Sequence, residues 1–287
     1  MKNTIFGIIT VAKIMKKLAF YFLFTVFFAS CDSTKRVTEG KYLLRENVLF
    51  IDSVKSKSGD LEKYILQKPN NRLLGLPFGL YFYNLDTQSP RINYIITSLA
   101  DNLVSKYRGI SDKKWKWFED YLTYANSILP EAMLYAGLST GSELYKNIAK
   151  TSFDFLLSLT FKDEQIKVIS NQGWYHKGKA ANQFGEQPID VAYTILALQT
   201  FYQVYEDESY KNKMKIAFDW FLGKNHLHQI IYNPKTGGCY DGLEQNHVNL
   251  NQGAESTISY LLSRLAMEKV SNSIKEMEFY EEVYQNK

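Results

Sequence analysis

The chain reads Asn249-Leu250-Asn251-Gln252-Gly253-Ala254-Glu255-Ser256-Thr257 immediately before an apolar helical pattern that runs from Ile258 to Ala266. Amides and one acid therefore stand at the start of a helix. The same arrangement recurs upstream, at residues 115–126 and 171–190. Polar and aromatic loops that alternate with amphipathic helices are typical of stacked helical hairpins, in which the long loops gather at one end. The sequence predicts a mainly α fold.

Apolar residues at helical spacing predict about seven helices after residue 87. The long connections, 161–187 and 223–249, are rich in aromatic residues, which favours a functional role over disorder. The predicted elements are a helix through Ile92–Tyr107, a short helix at Trp115–Tyr124, a helix from near Pro130 to Ala136 that ends at Gly137, a helix capped by Ser142, a helix opened by Pro188, a helix over Ser209–Phe221 and a last helix through Ile258–Leu265.

The front of the chain has a different character. Residues 1–30 hold four lysines and no acid, and the apolar run Leu18–Ser30 is the length of a signal-peptide core rather than of a membrane span. Met15 is the natural start in this interpretation. Small residues directly before Cys31 resemble the cleavage site of a bacterial lipoprotein, so Cys31 is the expected lipidation site. An ordinary secretory signal is the alternative.

The basic character of the whole chain comes from this leader. Removing residues 1–30 takes away four positive charges and lowers the formal net charge from +4 to zero. A chain without excess positive charge gives no indication of nucleic-acid binding. If Cys31 is acylated, Cys239 stands alone, and the chain can form neither an intramolecular disulfide nor a cysteine metal site.

A first resemblance covers about residues 15–86. Val37-Thr38-Glu39-Gly40-Lys41-Tyr42-Leu43-Leu44, Gln67-Lys68-Pro69-Asn70-Asn71-Arg72-Leu73-Leu74-Gly75 and Tyr83-Asn84-Leu85 resemble the N-terminus of lipoprotein-type outer-membrane assembly factors of the surface-antigen family, which carry POTRA repeats. The resemblance implies an outer-membrane lipid anchor, assembly partners at that membrane and a small α+β POTRA-like fragment with a strand at 41–52 and a helix at 61–67. The remaining chain lacks the regular alternating strands of a barrel.

A second resemblance covers about residues 91–268. It rests on motifs in a fixed order and is similar to the helical C-terminal domain of many bacterial glycosyltransferases, which in turn is similar to six-hairpin (α/α) glycosidase toroids. The resemblance implies a partial (α/α) toroid and a carbohydrate or glycan partner, without a transferase domain. The motifs are Trp115–Tyr124 with Asn126 and Leu129–Ala132, Asn171–Tyr175, Glu186–Pro188, Phe218–Asn225, Tyr232–Pro234 with Thr236–Leu243, and Asn249–Ser256.

These patterns divide the chain into a signal peptide (1–30), a lipidated tether (31–40), a POTRA-like fragment (41–86), an (α/α) helical domain (87–270) and a charged tail (271–287) that resembles a frayed helix. The expected location is the outer membrane, or the cytoplasm if the leader is not used.

Acidic side chains in the loops are the candidates for chemistry, because hydrolysis of a glycosidic bond commonly needs one protonated and one ionised carboxyl group. The catalytic candidates are Glu119, Glu186, Asp241 and Glu255. Asp190 is a further candidate acid, with charge matching at a helix N-terminus as the alternative interpretation, and the same alternative applies to Glu255. Asp241-Gly242 is equally a turn signal.

Aromatic rings and amides in the same loops are the candidates for binding. Rings can stack on sugar faces, and amides supply paired donors and acceptors for hydroxyl groups. The same residues could instead form core or cap helices. The binding candidates are Trp117, Tyr124, Asn126, Asn171, Trp174, Tyr175, Gln187, Tyr240, Asn251 and Gln252.

Other site classes have no support in the sequence. The pair His226 and His228 has no third ligand at a fixed spacing, so no metal site is predicted. Nucleophile-elbow, P-loop and dinucleotide fingerprints do not occur, and no cofactor is predicted. The sequence therefore predicts a membrane-anchored, carbohydrate-active or carbohydrate-binding helical domain, with hydrolase, lyase and binder left open. The alternatives are an assembly-factor fragment, or a fused or truncated gene product without activity.

Overall fold

A computed structural model describes residues 76–285 of the chain. This part is mainly helical, as the sequence predicts, with three small two-stranded antiparallel sheets. The helices are α1 (Leu76–Thr87), α2 (Pro90–Ile110), α3 (Ile128–Thr140), α4 (Glu143–Thr160), α5 (Pro188–Tyr205), α6 (Glu208–Asp219) and α7 (Ala254–Gln285). The strands are β1 (Tyr121–Leu122), β2 (Phe161–Lys162), β3 (Gln165–Ile166), β4 (Tyr175–His176), β5 (Gly242–Leu243) and β6 (Val248–Asn249).

The described residues fall into two compact units that divide between Asn102 and Leu103. In the first unit, Ile95 and Leu99 of α2 pack with Leu80 of α1. The connection between these helices is fixed by Asn84, whose side chain donates to Oδ1 of Asn93 (2.8 Å) and accepts from the backbone N–H of Ser89 (2.7 Å).

The second unit consists of helical hairpins in two layers. α3 packs against α4, and α5 packs against α6, while α3, α5 and α7 lie side by side. Nine of the 13 residues of α3 and 12 of the 18 residues of α5 are buried, but only three of the 12 residues of α6 are. We therefore call α3 and α5, with α7 beside α5, the inner helices, and α6 an outer one. Helices that are apolar on all sides are expected in a core, and amphipathic ones at its surface.

Hydrogen bonds between helices hold the layers together. In the inner layer the Thr200 hydroxyl of α5 donates to the Glu131 carboxyl of α3 (2.7 Å). In the outer layer the Tyr210 hydroxyl of α6 donates to Asp154 of α4 (2.8 Å), and its ring packs on Phe153.

Short turns join the helices of each hairpin. Ser142 caps α4 by accepting from the backbone N–H of Tyr145, and Gly141 ends α3 in the left-handed region (φ 73°), a conformation that favours glycine. The prediction that Gly137 ends this helix is wrong. Gly137 lies inside α3, where a Cβ would stand 2.6 Å from Cγ of Lys146, so glycine is needed there for the close approach of α3 and α4.

The long connections lie at the opposite end of these hairpins, before the inner helices. They are the first loop (residues 111–127), the second loop (161–187) and the third loop (220–253). β1 of the first loop pairs with β4 of the second, and Glu186 of the second forms a bridge with Leu243 of the third. The short helix predicted at Trp115–Tyr124 does not form, because this segment is instead fixed by the pairing of β1 with β4.

Several predictions fall on residues that the structure does not describe. They concern the signal peptide, lipidation at Cys31 and the strand and helix at 41–52 and 61–67. Of the POTRA-like fragment, the described residues 76–86 are helical and give no support for that resemblance. The tail continues as helix α7 to Gln285. Among the described helices, none is long and apolar enough to cross a membrane.

Candidate functional site

A polar pocket of about 300 Å³ opens where the second and third loops meet the starts of α5 and α7. Its size lies at the lower end of the ~300–1,000 Å³ that is typical of small-molecule sites. Three carboxyl groups and three side-chain amides dominate its wall. These are Asp241, Glu244 and Glu255, with Asn171, Gln187 and Asn249.

The two loops are fastened to each other at this pocket. The backbone of Glu186 exchanges two hydrogen bonds with that of Leu243 (3.0 and 2.9 Å), and the Gln172 amide donates to the Glu244 carboxyl (2.7 Å). Glycine is required beside this contact at Gly185 (φ 93°), where a Cβ would stand 2.5 Å from Oδ1 of Asn171. The pocket wall is therefore positioned by backbone pairing and not by one flexible loop.

Each inner helix carries an acid in its first turn: Glu131 in α3, Asp190 in α5 and Glu255 in α7. Burial raises the pKa of Glu131 to about 7 and the pKa of Asp190 to about 8; for Asp190 the charges of Glu255 and Glu186 act in the same direction. Burial and the nearby charge of Asp241 likewise raise the pKa of Glu255. The starts of the inner helices thus hold protons more strongly than ordinary carboxyl groups do.

Asp190 connects the first loop to α5. Its Oδ1 accepts from the backbone N–H of Ala125 (2.5 Å), a residue with φ 52°, which is disfavoured for a side chain with a Cβ. Its Oδ2 is buried and has no hydrogen-bond partner among the described residues. The hydrogen bond stabilises the turn that leads into α3.

Asp241 connects the third loop to α7. Its Oδ1 accepts from the backbone N–H of Gly253 (2.7 Å) and from the Ser256 hydroxyl (2.7 Å), and its Oδ2 accepts from the Asn251 amide. A carboxylate with these three donors acts as a cap for α7 supplied from a distant loop. Asp241 therefore shapes the pocket as well as lining it.

Glu186 lines no part of this pocket; its carboxyl group is buried behind the wall. Oε2 accepts from the Trp220 indole N–H (3.1 Å), and Oε1 lies 3.3 Å from Nδ1 of His226, close enough for an ion pair but not in good hydrogen-bond alignment. Nε2 of His226 lies 2.9 Å from the carbonyl oxygen of Glu244, which can only accept, so Nε2 carries a proton. The contact with Glu186 raises the pKa of His226.

The predicted binding rings separate into buried and accessible ones. Trp117 is fully buried and offers no face to a ligand, because it packs in the core against Phe118. Trp174 and Tyr124 are partly exposed and lie against each other, with ring centroids 5.9 Å apart. Tyr175 packs edge-on against Trp115.

The hydroxyl of Tyr240, the last of the predicted rings, accepts from the Asn233 amide (3.2 Å) within the third loop. That bond positions the ring on its own loop.

The predicted amides also separate. Asn171 and Gln187 line the pocket. Asn126 is turned to its own loop, where its side chain bonds the backbone N–H (2.9 Å) and carbonyl (2.7 Å) of Thr123. Asn251 and Gln252 are exposed: Asn251 donates to Asp241, and Gln252 accepts from the Thr236 hydroxyl.

Glu119 lies apart from the pocket wall in the first loop. Its backbone carbonyl accepts from the Trp115 indole N–H (2.6 Å), and burial raises the pKa of its carboxyl group. Glu119 is not among the residues that line the pocket, and neither is Glu186. The four acids predicted for catalysis therefore do not form one group.

Three residues of this region were not among the predicted site residues. Glu244 lines the pocket, Glu131 continues the row of first-turn acids, and Tyr193 lies near them, with its pKa raised by burial and by the charges of Glu255, Glu131 and Asp190. The available signal was positional: each of the three inner helices begins with an acid. Among the described residues, no group of three or more His, Cys, Asp or Glu side chains is arranged to hold a metal ion.

No family model and no curated protein matches the sequence. Among solved structures, the chain is similar to the crystal structure of D-mannose isomerase, with 15% sequence identity and a TM-score of 0.51. The likeness covers 69% of this chain and 54% of that one, so the chain spans about half the length of that protein. At this identity the likeness shows a shared helical fold alone.

Proposed function

We propose that the helical domain is part of an (α/α) toroid and that its pocket binds a carbohydrate. The observation that carries this proposal is the composition of the pocket wall, in which amides and carboxyl groups from two loops and two helix starts converge on about 300 Å³. Such groups can donate to and accept from several hydroxyl groups at once, as a sugar requires. The partly exposed rings of Trp174 and Tyr124 supply faces on which a sugar can stack.

The structural neighbour supports the same proposal. That protein is an isomerase of a sugar, and its fold is one to which this chain is similar. The second sequence resemblance, to the helical domains that accompany bacterial glycosyltransferases, indicates carbohydrate independently. Neither observation identifies the sugar, so the proposal rests on the pocket.

Binding is the function that this geometry supports best, and hydrolysis is the second candidate. Glu255 lines the pocket with a raised pKa, and the charge of Asp241 is one cause of the shift. A carboxyl group whose pKa is raised beside a second carboxyl group is the arrangement that glycoside hydrolysis uses. Glu255 would then donate a proton to the leaving oxygen as the glycosidic C–O bond breaks, while Asp241 would take a proton from the water that bonds to the anomeric carbon.

The test is calorimetric titration of the full-length protein in detergent against a panel of neutral monosaccharides and oligosaccharides. Gln187→Ala removes a pocket amide whose side chain makes no capping bond to α5, so it leaves that helix start intact. Asn171→Ala removes a second amide. We expect each variant to lose at least tenfold in affinity, because hydroxyl groups of the ligand lose a partner.

Gln183→Ala is the matched control, since Gln183 is an exposed amide on the same loop, outside the pocket wall. Product analysis of the same mixtures by mass spectrometry distinguishes binding from cleavage. Unchanged affinity in both pocket variants would remove the pocket from the function.

We also propose that the chain is held at the outer membrane by a lipid on Cys31. Incorporation of labelled palmitate into the wild-type chain, and its loss together with membrane association in Cys31→Ala, is the expected result. Equal membrane association of the two chains would contradict the anchor.

A further inference from the structure

The pocket wall is unbalanced in charge. Of the ten residues that line it, three are acids, namely Asp241, Glu244 and Glu255, and none is Lys, Arg or His. None of the ion pairs among the described residues involves these three acids. The charge of the wall is therefore not neutralised by the protein's own side chains.

Two further acids, Asp190 and Glu186, are buried near this pocket but do not line it. The pKa of Asp190 is raised by the charges of Glu255 and Glu186, and no cationic side chain counters the effect on Asp190 or on Glu255. Oδ2 of Asp190 is buried and lacks a hydrogen-bond partner among the described residues. Nδ1 of His226 lies 3.3 Å from Oε1 of Glu186, one of these acids.

The starts of α5 and α7 supply an opposing field. A helix N-terminus corresponds to roughly half a positive charge, and it acts within the first turn. The backbone N–H of Gly253, which precedes the first turn of α7, already donates to Asp241. The starts of α5 and α7 together correspond to roughly one positive charge, which does not offset three carboxyl groups, so the pocket keeps a negative potential.

We propose that this pocket selects sugars that carry a protonated amino group and rejects the same sugars when they carry a carboxylate or a phosphate. This inference rests on the proposed function, because it names the class of sugar for the same site. An ammonium group would replace the missing cation beside Glu244 and Glu255. An acidic sugar would add a further negative charge beside a wall that has three carboxyl groups and no cationic side chain, and like charges repel. Lyase chemistry on acidic sugars is disfavoured on the same ground.

The test is titration of the full-length protein with a matched set of hexoses: the neutral sugar, its 2-amino form, its N-acetylated amino form and its uronic acid. At pH 6.5 the amino sugar is protonated, and we expect it to bind at least tenfold more tightly than the N-acetyl form. The uronic acid should show no binding. Raising the salt concentration should reduce the preference, because ions screen the attraction.

The variant Glu244→Gln removes the charge of one carboxyl group from the pocket wall. It keeps the size of the side chain and an oxygen that can accept from the Gln172 amide, and it should lower the ratio of amino-sugar affinity to neutral-sugar affinity severalfold. Glu268→Gln, an exposed position on α7 paired with Arg264, is the control and should leave this ratio unchanged. At pH 9, where the amino group of the sugar is neutral, the wild type should lose its preference.

The outcomes separate this inference from the proposed function. One outcome is that the neutral sugar binds and that Gln187→Ala abolishes this binding, while the charged forms bind equally well or the uronic acid binds best. This result would overturn the charge selectivity and leave the proposal of a sugar-binding pocket intact. If none of the four sugars binds, both proposals are overturned.

Discussion

Replacing Asp190 by Asn tests the buried acids directly. Asp190 lies in the first turn of α5, is 5% exposed and has a pKa raised to about 8, from a usual value near 3.8. The folded state therefore keeps a proton on this group at pH values at which the unfolded chain has lost it. An asparagine has the same shape, can accept the hydrogen bond from the backbone N–H of Ala125 through its oxygen, and carries no proton that titrates.

The sign and size of the effect follow from proton linkage. Between about pH 5 and pH 7 the folded state binds one more proton at Asp190 than the unfolded state does, so the free energy of unfolding falls as the pH rises. One proton corresponds to about 1.4 kcal/mol per pH unit, or about 3 kcal/mol over these two units. Glu131, with a pKa of about 7, adds a slope of the same sign in both chains and cancels in their difference.

The assay is urea unfolding followed by circular dichroism at pH 5, 6 and 7 for the wild type and Asp190→Asn. The difference in unfolding free energy should shift in favour of the variant by about 1.4 kcal/mol per pH unit. Any free-energy cost of burying the asparagine amide is the same at every pH. It shifts the plot of unfolding free energy against pH as a whole and leaves its slope unchanged. Parallel curves for the two chains would show that Asp190 is ionised in the folded state and would refute the reasoning.

Three further substitutions test the packing and the ion pair. Gly137→Ala should lower the free energy of unfolding by about 1–3 kcal/mol, because the new methyl group would stand 2.6 Å from Cγ of Lys146. Urea unfolding measures this change, with Ala136→Gly as a backbone control. Trp117→Ala should cost about 3–5 kcal/mol and leave sugar affinity unchanged in the folded fraction. His226→Gln should destabilise the chain more at pH 6 than at pH 9. The raised pKa of His226 means that its protonated form stabilises the fold at low pH, and this contribution is lost as the pH rises through the pKa of the folded state. Melting temperatures that fall equally at both pH values would exclude the ion pair.

The helices were predictable because their signals are local. Apolar spacing, the cap at Ser142 and the proline at Pro188 each act within one or two turns, and the structure has helices at all three places. Gly137 misled the prediction, because glycine is common both where helices end and where two backbones approach closely. Only the position of Lys146 on the neighbouring helix decides between these roles.

The site was less predictable because its contacts are distant in sequence. Asn171, Asp241 and Glu255 were predicted from the polarity of their loops, and they do line one pocket. Trp117 and Glu186 occur in equally polar stretches, yet the first lies in the core and the second points to Trp220 and His226. The direction of a loop side chain depends on which other loop pairs with it, and sequence spacing carries no record of that pairing.

The row of first-turn acids has a simple explanation in the helix dipole, which favours negative charge at a helix start. That explanation requires the acid to be ionised. Glu131 and Asp190 are buried, and at pH 7 a pKa of about 7 leaves Glu131 only partly ionised while a pKa of about 8 leaves Asp190 mostly protonated, so the dipole gains less from them than from ordinary carboxylates.

What these two acids do instead is visible in their partners. Glu131 accepts from Thr200 across the inner layer, and Asp190 fixes the strained turn at Ala125. Both are therefore committed to holding the inner helices and the first loop in place. Glu255 differs, because it is partly exposed and lines the pocket. Of the three first-turn acids, Glu255 is the one that a ligand can reach. The proposed charge selectivity therefore depends on the exposure of the Glu255 side chain to the pocket.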